Sequence, residues 1–282
     1  MQDLTGKTAV ITGAASGIGF ALAQVFAEQG MQLVLADIET DALEKRVTEL
    51  RSQGAAVLGV VTDVGDDASV AALASAAAET YGNVHLLCNN AGVYTGGLLW
   101  EQTEADFEWV MRVNQWGIIH GIRHFVPAMI EHGQDCHIVN TASMAGLCTL
   151  PIAGIYHMTK HAALALSECL YHDLALSAPQ IGVSCLCPEL ADTEIARARR
   201  NRPATLAEEN QTAMHEFAHA AISDATSQSK PPRVLAERVL QGVLERQFYL
   251  LPPADDPWIK TAHKRLDDVH AARNPEFLAP EI

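Results

Sequence analysis

The sequence predicts a doubly wound α/β fold: one parallel sheet with helices on both faces. Two observations predict it. Short β-branched runs alternate with amphipathic stretches from the first residues, and the runs are apolar on both faces, as strands of a parallel sheet buried on both sides must be. The first run is "KTAVIT" (7–12), followed by a helix from Gly17 to Gln29. "QLVLAD" (32–37) and a helix through "DALEKRVTEL" come next, then "AAVLGVVTD" (55–63) and a helix over 66–81. "VHLLCNNAG" (84–92) is the fourth strand, a long helix spans 103–131, and "CHIVNTAS" (136–143) is the fifth strand. A helix over 156–178 leads to "IGVSCLCP" (181–188). Beyond Pro188 an Ala-, Glu-, Arg- and His-rich segment runs to "SQSKPPR", followed by a helix over 232–246, a short "FYLL" strand and a polar tail. Residues 1–282 thus read as a single domain, in which 189–231 form a helical lid insertion, too long for a simple loop.

Composition narrows the function classes. The formal net charge is -15, with 49% hydrophobic and 19% charged residues, which describes a globular protein whose acidic surface repels nucleic acid. The one basic tract, "RARR" at 197–200, is followed by Glu208 and Glu209 and reads as a solvated helix end. The N-terminus lacks a basic region followed by an apolar stretch, and no window approaches a membrane span of about 18 apolar residues. The expected location is cytoplasmic, with no membrane partner. The six cysteines are scattered like buried thiols, Cys185 and Cys187 sharing one strand face.

Directly after the first strand, "TGAASGIG" places Gly13, Gly17 and Gly19 at the opening of the first helix. Glycine lets the backbone turn tightly and approach a pyrophosphate, whose charge is favoured by exposed N–H groups at a helix N-terminus. Asp37 ends the second strand 18 residues past Gly19, where an acid accepts hydrogen bonds from both ribose hydroxyls and repels a 2′-phosphate. The pattern is therefore Rossmann-like and favours NAD over NADP. Asp63, ending the third strand, carries two readings: a contact to adenine, or an N-cap for the next helix.

"YHMTK" sets Tyr156 and Lys160 four apart on one helix face. A phenol, with an ordinary pKa of about 10, acts as a base near neutrality only if a cation such as Lys160 stabilises its phenolate. Ser143, just past the fifth strand, is positioned to orient a substrate oxygen toward Tyr156. Together with "DV" at 63–64, "NNAG" at 89–92, Asn114 and the Pro188-to-Thr193 segment, these elements closely resemble the short-chain dehydrogenase/reductase family over residues 5–250.

The resemblance implies an NAD-dependent alcohol dehydrogenase or ketone reductase. Tyr156 would be the general acid/base and also a cofactor contact, and Lys160 would lower its pKa and hold the nicotinamide ribose. Ser143 would position substrate, and Asn114 would anchor a water linking Lys160 to solvent. Thr12, Gly13, Ser16, Gly17, Ile18 and Gly19 would form the pyrophosphate loop; Asp37, Ile38, Asp63 and Val64 would hold the adenosine. Asn90, Ala91 and Gly92 would floor the cofactor site, with Pro188 and Thr193 at the carboxamide end. Members often form dimers or tetramers, which implies a homo-oligomer. Hydride transfer of this kind needs no metal.

Three features stand apart. The family usually has glycine after the proline that follows the sixth strand, whereas this chain has Glu189, which either turns to the pocket mouth and influences substrate choice or points outward into solvent. "HEFAH" at 215–219 has the spacing of a helical zinc motif, but the third ligand is missing and zinc proteolysis is set aside. Finally, Val93, Tyr94, Leu147, Leu150, Ile152, Ile155 and Leu190 are candidates for an apolar pocket taking a bulky secondary alcohol or ketone. The rival from another class is a nucleotide-binding regulator of the same fold without turnover, which would not require Tyr156.

Overall fold

The computed structural model describes residues 1–207 and 212–276, so Glu208 and Glu209 lie outside the described residues. The strands are β1 (Thr8–Thr12), β2 (Gln32–Asp37), β3 (Val57–Val61), β4 (Val84–Asn89), β5 (Cys136–Thr141), β6 (Ile181–Leu186) and β7 (Tyr249–Leu250). They form one parallel sheet in the order β3-β2-β1-β4-β5-β6-β7. The order reverses beside β1, which opens a crevice at the strands' carboxyl ends between β1 and β4.

The central strands are buried at every position, as their apolar character predicts. The edge strand β3 differs: its residues alternate and Val61 is 53% exposed, because one face has no helix to cover it fully. The first helices are α1 (Gly17–Glu28), α2 (Thr40–Ser52) and α3 (Asp67–Tyr81). The long helix expected over 103–131 is α4 (Glu104–Met111), a π turn (Arg112–Trp116) and α5 (Gly117–His132) in unbroken succession. Next come α6 (Gly154–Ser177), α7 (Ala213–Ser227) and α8 (Pro232–Glu245). One core cluster joins α1, α2 and α8 to the sheet; a second joins α3, α5 and α6. Cys185 and Cys187 are both fully buried, with their sulfurs 4.0 Å apart.

The polar tail is a correction to the sequence reading. It holds a further helix, α9 (Pro257–His270), whose N-cap Asp256 accepts the N–H of Trp258 at 3.0 Å. Ile259 and Ala262 of α9 pack with Ala142, Met144 and Cys187. Between β6 and α8 lie two 3-10 segments, Glu194–Asn201 and Ala204–Leu206, and then α7. Among the described residues, no helix is long and apolar enough to cross a membrane.

Candidate active site

The glycine loop leaves bare main chain at the crevice. Gly13 (φ 66°) and Gly17 (φ 51°) sit in the left-handed region. A Cβ on Gly19 would lie 2.1 Å from the Gly13 carbonyl oxygen, so only glycine permits this close approach. Thr12 ties the loop to β4: its hydroxyl donates to the Cys88 carbonyl and accepts from the N–H groups of Asn90 (2.9 Å) and Ala91 (3.1 Å). Asn90 Nδ2 donates back to the Thr12 carbonyl at 3.0 Å. Ser16 is the N-cap of α1 but makes no side-chain cap bond, and with Ile18 it lines the crevice. A cradle of unshielded backbone at a helix N-terminus fits a pyrophosphate.

Asp37 stands where a ribose acid should. Its two oxygens accept the N–H groups of Ala15 (2.9 Å) and Glu39 (3.0 Å), which fixes the carboxylate at the end of β2. Burial raises its pKa, and those two N–H bonds oppose the rise. Asp63 is not the N-cap of the following helix; Asp66 is, accepting the N–H of Ser69. Instead Asp63 receives the N–H of Gly65 at 2.9 Å and the Arg112 guanidinium at 3.0 Å. Ile38, Asp63 and Val64 all line the same cavity.

Ser143, Tyr156 and Lys160 line this cavity too, with Asn114 directly behind its wall. The i,i+4 spacing on α6 sets the Lys160 ammonium 5.7 Å from the centre of the Tyr156 ring. Lys160 donates to the Thr141 carbonyl at 2.9 Å. Burial dominates both groups. It pushes Tyr156 up to about 12, against the Ser143 hydroxyl beside it, and it lowers Lys160 to about 8. The lowered phenol expected from sequence is therefore not set by the protein's own groups alone. A Cβ on Gly92 would be 3.5 Å from both Asn114 Oδ1 and Lys160 Nζ, which shows how closely these three positions converge. The Asn114 amide is engaged in full view of this floor: Oδ1 accepts the Val93 N–H at 2.8 Å, and Nδ2 donates to the Val93 carbonyl and to Thr159 Oγ1. Thr193 meets Gly17, and the Pro188 carbonyl accepts the N–H of Met144, the residue after Ser143.

Glu189 does not point outward into solvent: it is among the residues lining the cavity, its side chain only 3% exposed. Arg238 of α8 grips both of its oxygens at 2.8 Å and Lys230 donates at 2.9 Å. Burial alone would raise its carboxyl, but the Arg238 and Lys230 bonds outweigh it and hold the pKa at about 2. Both ends of the β6–α8 connection meet there, since the Asp192 N–H donates to the Lys230 carbonyl at 2.9 Å.

The basic tract likewise does more than meet solvent. Arg200 and Asn201 bind the Glu39 carboxylate at 2.6 and 2.8 Å, and Arg202 pairs with buried Asp106. The "HEFAH" residues serve packing: His215 Nε2 meets Thr95 Oγ1 at 3.1 Å, the His219 ring packs edge-on against Tyr94, and Glu216 pairs with Arg199. Among the described residues, no group of three or more His, Cys, Asp or Glu side chains is arranged to hold a metal ion.

One continuous cavity of about 960 Å³ runs from the glycine loop to α9. Val93, Tyr94, Leu150, Ile152 and Leu190 line it as expected, whereas Leu147 and Ile155 are packing residues of two separate core clusters. Tyr94 packs edge-to-face on Tyr156, their ring centres 5.3 Å apart. Ile152 has φ 56°, a strained value for a β-branched residue, two residues before α6 begins. Sequence reasoning missed the lining from α7, chiefly Met214, Phe217, Ala218 and Ile222, and Trp258 from α9. It also missed His157, whose Nδ1 bonds the Ala145 and Cys148 carbonyls while Nε2 accepts the Leu150 N–H, bracing the loop beside Ser143. The α7 periodicity was a usable signal; the His157 contacts are purely tertiary.

A family model described as short chain dehydrogenase matches residues 7–204. The CLA biosynthesis dehydrogenase/reductase of Lactiplantibacillus plantarum is 32% identical, the match covering 96% of this chain and 98% of that protein. The C alpha-dehydrogenase of Sphingobium sp. strain SYK-6 is 35% identical over 89% of this chain and 82% of its own length. Among solved structures, a short chain dehydrogenase/reductase from Burkholderia phymatum in complex with NAD is 44% identical, covers 99% of both chains and superposes with a TM-score of 0.97. Glycine loop, strand-end acid, Tyr156–Lys160 pair and whole-chain similarity agree: the chain belongs to the short-chain dehydrogenase/reductase family.

Proposed function

We propose that this protein is an NAD-linked oxidoreductase acting on an uncharged, mainly apolar and bulky secondary alcohol or ketone, with Tyr156 as general acid/base. The observation that carries the reading is the single cavity joining the glycine loop and Asp37 to Ser143, Tyr156 and Lys160. Thr12, Gly13, Ser16, Gly17, Ile18 and Gly19 would hold the pyrophosphate of NAD, and Asp37, Ile38, Asp63 and Val64 its adenosine. Asn90, Ala91, Gly92, Pro188, Thr193 and Lys160 would hold its nicotinamide half. When bound, NAD supplies the hydride acceptor, and NADH the donor.

The chain's own residues then manage the proton. With Tyr156 pushed up to about 12, the phenol is neutral at physiological pH and suited to donate to a carbonyl oxygen. Oxidation of an alcohol requires the phenolate, so its rate should rise with pH; Lys160, lowered to about 8, keeps its ammonium at neutrality to favour that anion. Ser143 orients the substrate oxygen. The cations lining the cavity among the described residues are Arg112, Lys160 and Arg200, and each is engaged by Asp63, Thr141 or Glu39, which supports a neutral substrate. The described residues 189–207 and 212–231 act as its lid through the apolar face of α7. The exposed apolar residues Trp116, Ile130 and Tyr171 on the π turn, α5 and α6 support a homo-oligomer.

The test is an NADH-absorbance screen across secondary alcohols and ketones of graded size, with Tyr156→Phe as control. Turnover by wild type that is lost in the variant supports the reading; tight NADH binding without turnover across the panel would favour a nucleotide-binding regulator.

A further inference from the structure

The cavity of the proposed carbonyl chemistry is also lined by a part of the chain beyond residue 204, where the family model stops. Trp258 lines the cavity from the first turn of α9. Its helix docks beneath the segment that carries Ser143: Ile259 and Ala262 share a buried cluster with Ala142 and Met144, and half-buried Trp258 packs on that cluster.

Its position is set by a chain of polar contacts. The Trp258 N–H donates to Asp256 Oδ1 at 3.0 Å, and the other Asp256 oxygen accepts Lys230 Nζ at 3.2 Å. Lys230 simultaneously donates to buried Glu189 at 2.9 Å, and Glu189 is fixed by Arg238. The residue in the place of the family's usual glycine is thus joined, through one lysine, to the backbone of an indole on the cavity wall. Lys230 is also the last residue before the prolines that open α8, so the same contact pins the end of the β6–α8 connection.

We infer that Trp258 is the residue that limits substrate size, and that Glu189, Lys230 and Asp256 are positioning residues that hold its indole against the cavity. Indole is the largest and most rigid apolar side chain, with two rotatable bonds, so it makes a firm boundary for a carbinol's apolar substituent. This inference rests on the oxidoreductase reading but is tested by size ratios and by ketone binding that does not need turnover, so the two can fail separately.

The experiment compares wild type with Trp258→Ala, Trp258→Phe, Lys230→Met and Lys230→Arg. For each, kcat/KM is measured on 2-butanol, 2-octanol, 1-phenylethanol and 1-(2-naphthyl)ethanol with NAD. Trp258→Ala should shift the naphthyl-to-butyl ratio of kcat/KM at least tenfold toward the larger alcohol, mainly through KM, with Trp258→Phe intermediate. Lys230→Met should move the ratio about threefold in the same direction, and Lys230→Arg should restore it. In parallel, the thermal shift produced by the matching ketones in the presence of NADH is recorded, a readout independent of turnover. Equal loss on all substrates, or an unmoved ratio and unmoved ketone shifts, overturns the role of Trp258. A lower Tm in Lys230→Met without a change in ratio overturns the positioning chain. Absence of turnover of all four alcohols in wild type would count against the proposed secondary-alcohol substrate, and the ketone shifts would still decide the size limit: a shift that grows with ketone size only after Trp258→Ala supports it.

Discussion

Around the β1–α1 turn the cavity is lined by main chain brought bare to the surface by glycine; around α7 and α9 it is lined by side chains held in place by ion pairs. The first surface tolerates no added atom, since a Cβ on Gly19 would stand 2.1 Å from a carbonyl oxygen. The second is assembled from segments far apart in the chain: Glu189 with Arg238, Lys230 with Asp256, Arg199 with Glu216. The contrast separates two jobs. On the proposed function, the cofactor is met by local backbone geometry, and the substrate by a wall whose shape depends on tertiary contacts and can vary without disturbing the loop.

The comparison can be broken most severely at Glu189. Its carboxyl is held at about 2 in the folded protein against an ordinary value of 4.5, so it contributes stability present above pH 4.5 and lost as the pH falls toward 2. Glu189→Gln should remove about 3 kcal/mol near neutrality, and the variant should lack this acid-dependent phase. Denaturant unfolding at pH 7 and pH 3 checks both, and an unchanged midpoint at pH 7 would mean that the ion cluster is not what holds the wall. Next comes Gly19→Ala, which overpacks the loop at a cost of about 1–3 kcal/mol, so it should lower Tm by several degrees and weaken NADH binding roughly 10- to 100-fold. Fluorescence titration of NADH measures it; equal weakening by Glu189→Gln would erase the division between the two regions.

Much of the first region was legible because its signals are local. Central parallel strands are buried on both faces and read as continuous apolar runs, and the positions of glycine, Asp37, Tyr156 and Lys160 follow from strand ends and helix spacing. The π turn at Arg112–Trp116 was not legible, because it carries no distinct residue pattern within a continuous helical stretch. The second region was read poorly for two reasons. Asp256 and Pro257 are an N-cap and first-turn signal for α9 that polar composition obscured. The partners of Glu189 lie 41 and 49 residues away, and nothing in a linear sequence pairs a glutamate with one arginine rather than another.

Smaller effects sharpen the same contrast. Asp37→Asn should leave the fold intact and shift cofactor preference toward NADPH by about tenfold, because it removes the charge that repels a 2′-phosphate. Paired titrations with NADH and NADPH test this, and an unchanged ratio would detach Asp37 from the ribose site. Smallest of all, Glu39→Gln loosens the partly exposed pairing with Arg200 and should cost less than about 1 kcal/mol in Tm-derived stability.

The most direct test of the proton-transfer account is a paired measurement on Tyr156→Phe: NADH affinity by titration, and kcat on the best substrate of the wild-type protein. The account predicts NADH affinity within about twofold of wild type and a kcat lower by roughly 10²–10⁴-fold. A variant that binds NADH and turns over at the wild-type rate would contradict it.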